Sequence, residues 1–411
     1  MAERPIFGWE ADRWVAVAVL WLTFALCCVV GLLTPYIVGV IGIAVFVALA
    51  VQGRLIAAYQ PLPARLFLLA FAILGVCFAI TAQSPTDALR VFNFTALLLV
   101  GPFMALMLRS AGANNSLVVA RLAATGAAMA LAAAALGRYV IGWERAESPI
   151  FGAILLGNTA VVLGFLGACG LLAATDRRDQ WFLGLAPLMG VAAAAMTASR
   201  GPMLAIVPLV LLCAMVLARR WRLPPVRAVG GTLAYLAICA VLIVALNDRI
   251  ATVADVAGDV AASVAVDDVT SGIRLALYEA GLRAFLDAPV LGHGWARLMS
   301  AVGRYLPDEI REFGLSLPHL HNDVIDFAVA AGVVGIAVYL LLIATPLFSA
   351  WRSSHDVQWP FRMLACAVLS VAYVCDGLTD LMFGMEFHTA LYAYVAAIIL
   401  GYCREPVTGP E

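Results

Sequence analysis

Charge is scarce in this chain of 411 residues. Only 12% of them are Asp, Glu, Lys or Arg, about half the share of an ordinary soluble domain. No lysine occurs at all: the 25 basic residues are all arginine, a usage that genomic base composition accounts for. So little charge excludes an ordinary cytosolic enzyme and a disordered chain. A net charge of −1 without a long basic run excludes a nucleic-acid binder. No CxxC and no Cys/His metal spacing is present. The nine cysteines (27, 28, 77, 169, 213, 239, 366, 375 and 403) all fall in or at the edge of apolar runs, which reads as packing and not as a disulfide framework. There is no internal repeat and no low-complexity linker. No small-residue cleavage site follows the first apolar run, so that run is expected to be a retained helix and not a signal peptide.

What the chain has is apolar length. Hydrophobic residues make up 64% of it and the mean hydropathy is +0.98. Twelve apolar spans are expected, at 14–33, 36–52, 65–81, 92–109, 117–136, 149–174, 181–198, 201–218, 227–247, 322–346, 361–380 and 384–402. Each is long enough to cross a bilayer as a helix, and backbone groups in lipid must be satisfied internally. Spans 117–136 and 181–198 are the weakest, one alanine-rich and one short. With the N-terminus inside, fifteen arginines fall on inner segments and four on the short outer loops (90, 138, 145 and 200), a clear positive-inside bias. The other six lie in one long outer segment.

That segment concentrates the polarity. Residues 248–326 hold 18 of the 51 charged residues and three of the five histidines. A helix is predicted over 271–287, with Ile273, Leu277 and Ala284 on one face, Leu275, Leu282 and Leu286 near it, and Thr270 or Ser271 as its cap. A second short helix is predicted over 304–313. The chain thus divides into 1–247 (spans one to nine), a loop domain 248–321, 322–403 (spans ten to twelve) and a tail 404–411.

The most specific local feature is PHLHNDVIDFAVAAGVVG at 318–335. His321 and Asn322 stand where the outer loop enters a membrane helix, and a water-facing histidine there can move a proton. His321-Asn322, nine residues, Gly332, two residues and Gly335 resembles the signature of O-antigen ligases, O-antigen polymerases and related bacterial O-oligosaccharyltransferases. Ser199-Arg200 at the outer end of a span, SGIR at 271–274 and PVLGHGW at 289–295 resemble further stretches of the same superfamily. The resemblance runs nearly the full length and is nearest to the ligases.

It implies an all-α, GT-C-like integral membrane protein of about twelve helices, with a large helical periplasmic loop between helices nine and ten. It implies a donor glycan on undecaprenyl diphosphate and an acceptor sugar hydroxyl on lipid A-core, with membrane lipid around both. His321 is then a candidate base for the acceptor. Arg200 and Arg274 are candidate diphosphate clamps, since a guanidinium stays charged and pairs bidentately with phosphate. Arg274 falls in the first turn of its predicted helix, where free N–H groups add to an anion site. His319, Asn322, Arg138, Arg145 and Asp326 are supporting candidates. Asp323 or Asp326 is expected to orient the imidazole or to cap the helix. His319 and His321 are separated only by the spacing to the glycines.

No DxD pair occurs, and Asp267-Asp268 and Asp308-Glu309 are adjacent residues that point apart. The reaction is therefore expected to need no metal and no cofactor, with arginine supplying the positive charge. Asn158 is expected to bond within the bundle. Asp376, Asp380, Glu386 and His388 cluster at the last outer turn, where a short wet loop explains them as well as a site does. The implied localisation is the bacterial inner membrane, both termini cytoplasmic and the active site periplasmic.

Three other readings stay open. Arg-x10-Gly, a polymerase pattern, is met by Arg283–Gly294 and Arg90–Gly101, but also by two pairs on the inner side, so it decides nothing. A protein O-oligosaccharyltransferase is the second. A polytopic transporter or flippase is the third; it would call for paired Gly/Pro-broken spans, which the sequence does not display.

Overall fold

The structure is a computed structural model that describes residues 5–147, 150–199, 201–247 and 268–405. Its described residues are all-helical, with no strand. The spans are α1 (Trp9–Leu20, extended by a π-helical turn Trp21–Ala25 and by Cys27–Val30), α2 (Leu33–Val51), α3 (Leu62–Thr81), α4 (Thr95–Arg109), α5 (Asn115–Ala135), α6 (Ala153–Cys169), α7 (Arg177–Met196), α8 (Gly201–Arg220) and α9 (Pro225–Leu246). Three loop helices follow: α10 (Asp268–Asp287), α11 (Leu298–Gly303) and α12 (Asp308–Ser316). The chain then returns through α13 (Asp323–Trp351), α14 (Trp359–Gly377) and α15 (Glu386–Tyr402).

Among the described residues nine helices are long and apolar enough to cross a membrane, where twelve spans were expected. The other three expected spans are helical but fall short for separate reasons. α1 is interrupted by its π-helical turn, α7 begins with Arg177, Arg178 and Asp179, and α15 has 17 residues. The weak spans are weak because they face protein. α6 and α7 approach until a Cβ on Gly190 would lie 2.3 Å from the Ala160 carbonyl oxygen, which small residues permit. α15 is buried along nearly its whole length, whereas α9 buries only Cys239. All nine cysteines are free thiols.

The loop helices depart from expectation at their starts. α10 begins at Asp268, so Thr270 and Ser271 lie inside it and not at its start. Leu277, Ala280 and Ala284 are buried, but Leu275, Leu282 and Leu286 are 57–69% exposed and form a second apolar stripe, away from the core. The second short helix starts only at Asp308, after Pro307, because proline is best placed at a helix start. α11 was not foreseen.

α13 is the span that positions the site, and it is broken. Ala331 and Gly332 leave helical geometry (Gly332 φ 64°, ψ −150°). The turn 289–294 fills the break as backbone: His293 N–H donates to the Val329 carbonyl (2.8 Å), Gly294 N–H to Ala330 (2.9 Å), and Val333 N–H to Pro289 (2.8 Å). Carbonyls and amides freed by the break are thereby satisfied inside a membrane helix. A Cβ on Gly332 would lie 2.4 Å from Val290 backbone atoms, and one on Gly292 2.4 Å from Ala330 and Ala331. Just beyond, Trp295 packs among Phe78, Phe94 and Phe327, pinning the loop to α3 and α13.

Candidate active site

The start of α13 gathers the polar residues. Asn322 is its N-cap: Oδ1 accepts from the Ile325 N–H and Nδ2 donates to the Leu378 carbonyl (both 3.2 Å). Asp326 accepts from the N–H groups of Leu320 (2.9 Å) and Asn322 (3.4 Å). Asp323 accepts from Met382 (2.8 Å) and Phe383 (3.2 Å). Both carboxylates therefore shape the loop backbone, and neither bonds an imidazole as expected of one of them.

The turn so shaped presents His321. Its φ is 58°, a conformation uncommon outside glycine and asparagine. Its Nδ1 lies 3.1 Å from Asp380 Oδ1, and its side chain keeps 22% exposure while that of Asp380 keeps 5%. Burial pushes the Asp380 carboxyl up, but the His321 hydrogen bond and the neighbouring His319, His388 and His321 rings outweigh it and hold it below the usual carboxylate range. An ionised Asp380 accepts from Nδ1–H, which leaves the Nε2 lone pair of neutral His321 free.

His319 has a different role. It is 5% exposed, its ring stands 4.2 Å from that of His321, and its Nδ1 accepts the His321 backbone N–H (3.1 Å). Burial first, then the His321 charge, lower its pKa to about 4. The two histidines thus differ in their bonding: His319 Nδ1 is taken up by the backbone and His321 Nδ1 by Asp380. The nitrogens of both and an Asp380 oxygen lie within 4.8 Å of one another, near enough to meet a cation.

Arg274 stands on α10, near enough to Tyr278 for its charge to act on the phenol. It is half-buried and makes no hydrogen bond or ion pair among the described residues. Tyr278, one turn on and on the same face, donates to the His321 carbonyl (3.0 Å) and the Leu378 carbonyl (3.4 Å). Burial raises the Tyr278 pKa, with Arg274 opposing, so the phenol stays a donor. The expected free N–H groups are not at Arg274: it is the seventh residue of α10, past the four that a helix leaves unpaired.

Arg200 lies outside the described residues, but its neighbours border the site. Arg145 donates to the Thr197 carbonyl (3.1 Å) and to Ser199 Oγ (2.9 Å). A Cβ on Gly201 would lie 2.6 Å from Thr379 Oγ1, next to Asp380. Arg138 instead donates to the Glu144 carbonyl in its own loop. Asn158 reaches Met382 Sδ (3.5 Å), and Glu386 accepts from Tyr36 (2.5 Å).

The last outer turn is not wet. Asp376, Asp380 and His388 are all buried, and both carboxylate oxygens of Asp376 and both ring nitrogens of His388 have no partner among the described residues. Tyr278 is a site residue that the sequence did not single out, and Asp380 stood out only as one of the polar cluster at the last outer turn, with nothing to link it to His321. Asp380 stands 59 positions from His321, a separation without any spacing signal.

A glycine-broken helix, a loop docked in the break and an arginine–histidine–aspartate end together call for comparison with known proteins. Residues 185–340 match the family model described as O-antigen ligase. This stretch is similar to the O-antigen ligases. It contains Arg200, Arg274, His319, His321, Asn322, Gly332 and Gly335, while Asp380, Arg138 and Arg145 lie outside its bounds. None of the curated proteins matches the chain. The match supports a glycosyltransferase-type enzyme of the ligase and polymerase superfamily with polysaccharide and lipid-linked substrates, in a chain whose apolar helices make it a membrane protein.

Proposed function

We propose that the protein is an inverting, metal-independent glycosyltransferase of lipopolysaccharide assembly. It moves an O-antigen glycan from undecaprenyl diphosphate to a sugar hydroxyl of lipid A-core, on the periplasmic side of the inner membrane. The observation that carries this reading is the His321–Asp380 pair, with Arg274, which has no hydrogen bond or ion pair among the described residues, on the helix face whose Tyr278 touches His321.

In the proposed reaction His321 Nε2 takes the acceptor hydroxyl proton while Asp380 stabilises the imidazolium that forms. The acceptor oxygen bonds to the donor C1 from the face opposite the diphosphate, and the C1–O bond to phosphate breaks with its electron pair leaving on the diphosphate. Arg200 and Arg274 offset the charge developing there. Arg145, held on Ser199, supports the Arg200 side, and His319 and Asn322 hold the histidine turn.

A lipid-linked donor also needs room for its chain. A groove of about 550 Å³ runs between α10 and α13, lined by Leu275, Leu282, Phe285, Val324, Ala328 and Ile336, with Tyr278 at its site end. Its nearly all-apolar lining suits a polyprenyl chain whose diphosphate sits by Arg274.

The test is the glycan distribution in cells lacking the protein. Polymerised glycan is expected to remain on the lipid carrier while lipid A-core stays bare, and His321→Ala is expected to fail to restore transfer although it inserts normally. Loss of polymer altogether would assign the protein as the polymerase of the same superfamily. Full transfer by His321→Ala would remove the base assignment.

A further inference from the structure

The end of the bundle away from His321 holds a second cavity, of about 430 Å³. Helix termini surround it: Trp9, Asp12 and Arg13 in the first turns of α1, Arg109 and Ser110 at the end of α4, Asn115 at the start of α5 and Tyr402 at the end of α15. Its acid and amide are already used by the fold. Asp12 accepts from the N–H groups of Ile6 (2.8 Å) and Phe7 (2.9 Å). Asn115 donates to the carbonyls of Ser110 (2.8 Å) and Tyr402 (2.9 Å).

The basic groups are differently placed. Arg13 is exposed and makes no hydrogen bond or ion pair among the described residues. Arg109 donates to the Ala105 carbonyl of its own helix and lies near enough to Arg54 for the two charges to interact. Arg54 bonds the Pro5 carbonyl (3.4 Å) and Gln52 (3.0 Å). Arg13 and Arg109 thus line the cavity with one buried carboxylate, Arg54 stands near Arg109, and Glu10 is the one other acid of the first turn of α1. Trp9 and Trp14 flank them, 60% and 72% exposed, as indoles do at the boundary between hydrocarbon and headgroups.

We propose that this cavity binds the phosphate of an anionic phospholipid headgroup from the leaflet on that side. A phosphodiester matches a concave site with net positive charge, and the acyl chains run down the apolar flank of α1 past Val17 and Leu20, which also line it. Free phosphate shares the recognised chemistry but lacks the chains.

Native mass spectrometry and thermal unfolding of the purified full chain test this. Dioleoylphosphatidylglycerol is expected to remain bound and to raise the unfolding temperature. Dioleoylphosphatidylcholine and inorganic phosphate are expected to do neither. Arg13→Gln, an exposed change, is expected to weaken phosphatidylglycerol binding about fivefold. Arg227→Gln, an exposed arginine of α9 away from the cavity, is expected to leave it unchanged. Equal retention of the two lipids would overturn the proposal, as would equal effects of the two substitutions. An equal response to inorganic phosphate would make it a free-anion site.

Discussion

At the scale of single residues, the chemistry depends on which imidazole nitrogen holds the proton. Asp380 Oδ1 at 3.1 Å from Nδ1 selects the tautomer with Nε2 unprotonated, and Asp380→Asn removes the charge that does so. This variant is expected to lower kcat by about 10²-fold with little change in donor KM; a raised KM at unchanged kcat would mean that Asp380 contacts substrate instead. His319 supplies a pH test. Its folded pKa is about 4 against about 6.5 for an unperturbed imidazole, so the unfolded state binds its proton first as pH falls. Stability is full above pH 6.5 and falls progressively toward pH 4, by about 3 kcal/mol if the shift is taken whole. The lowering of Asp380 acts in the same direction at lower pH. Thermal unfolding from pH 7 to 4.5 is expected to be less pH-dependent in His319→Gln than in the wild type, and identical slopes would show that His319 does not titrate as described. The histidine motif was legible in the sequence because it is local. Its partner was not, because only the folded turn 378–385 brings Asp380 back across 59 residues, and a charged residue near a loop looks the same in sequence whether buried or wet.

At the scale of elements, the two glycines of the motif have a structural task. Gly332 opens α13 so that residues 289–294 can lie in the break as backbone, which fixes the loop relative to His321, and Gly335 lets the helix beyond the break close on the Phe327 carbonyl, 2.2 Å from where a Cβ would stand. The spacing of the motif was plain in the sequence, but its consequence was not, since Gly332 and Gly335 sit in a run that reads as one continuous apolar span. The same limit explains α10. Its periodic leucines predicted a helix, but two apolar stripes compete, and packing against α13 decided which one is buried. Gly332→Ala puts a Cβ into a backbone conformation costing about 1–3 kcal/mol for a non-glycine residue, 2.4 Å from Val290. Expected outcomes are faster proteolysis within residues 288–296 and loss of transfer while the protein still inserts. Unchanged proteolysis and activity would show that the docked turn does not hold the site.

At the scale of the whole molecule, the chain passes back and forth so that two chemically distinct ends result. One carries His321, Asp380 and Arg274. The other carries Arg362 clamped by Asp356 (2.8 Å), Arg54 and Arg109. Arginine bias along the sequence anticipated this division because lipid forces every polar loop to one side or the other. Hydropathy alone was the poorer guide, since buried alanine-rich helices need little of it. The bias predicts the His321 end outside, and the native thiols make that testable: eight of the nine are buried and Cys375 is half-buried, so an introduced exposed cysteine stands out. Ser300 on α11 and Ser354 between α13 and α14 are both exposed, at opposite ends. A membrane-impermeant maleimide added to intact spheroplasts is expected to label Ser300→Cys, and to label Ser354→Cys only after permeabilisation. The reverse pattern would turn the site toward the cytoplasm, where a periplasmic acceptor cannot reach it, and the proposed reaction would fail with the orientation.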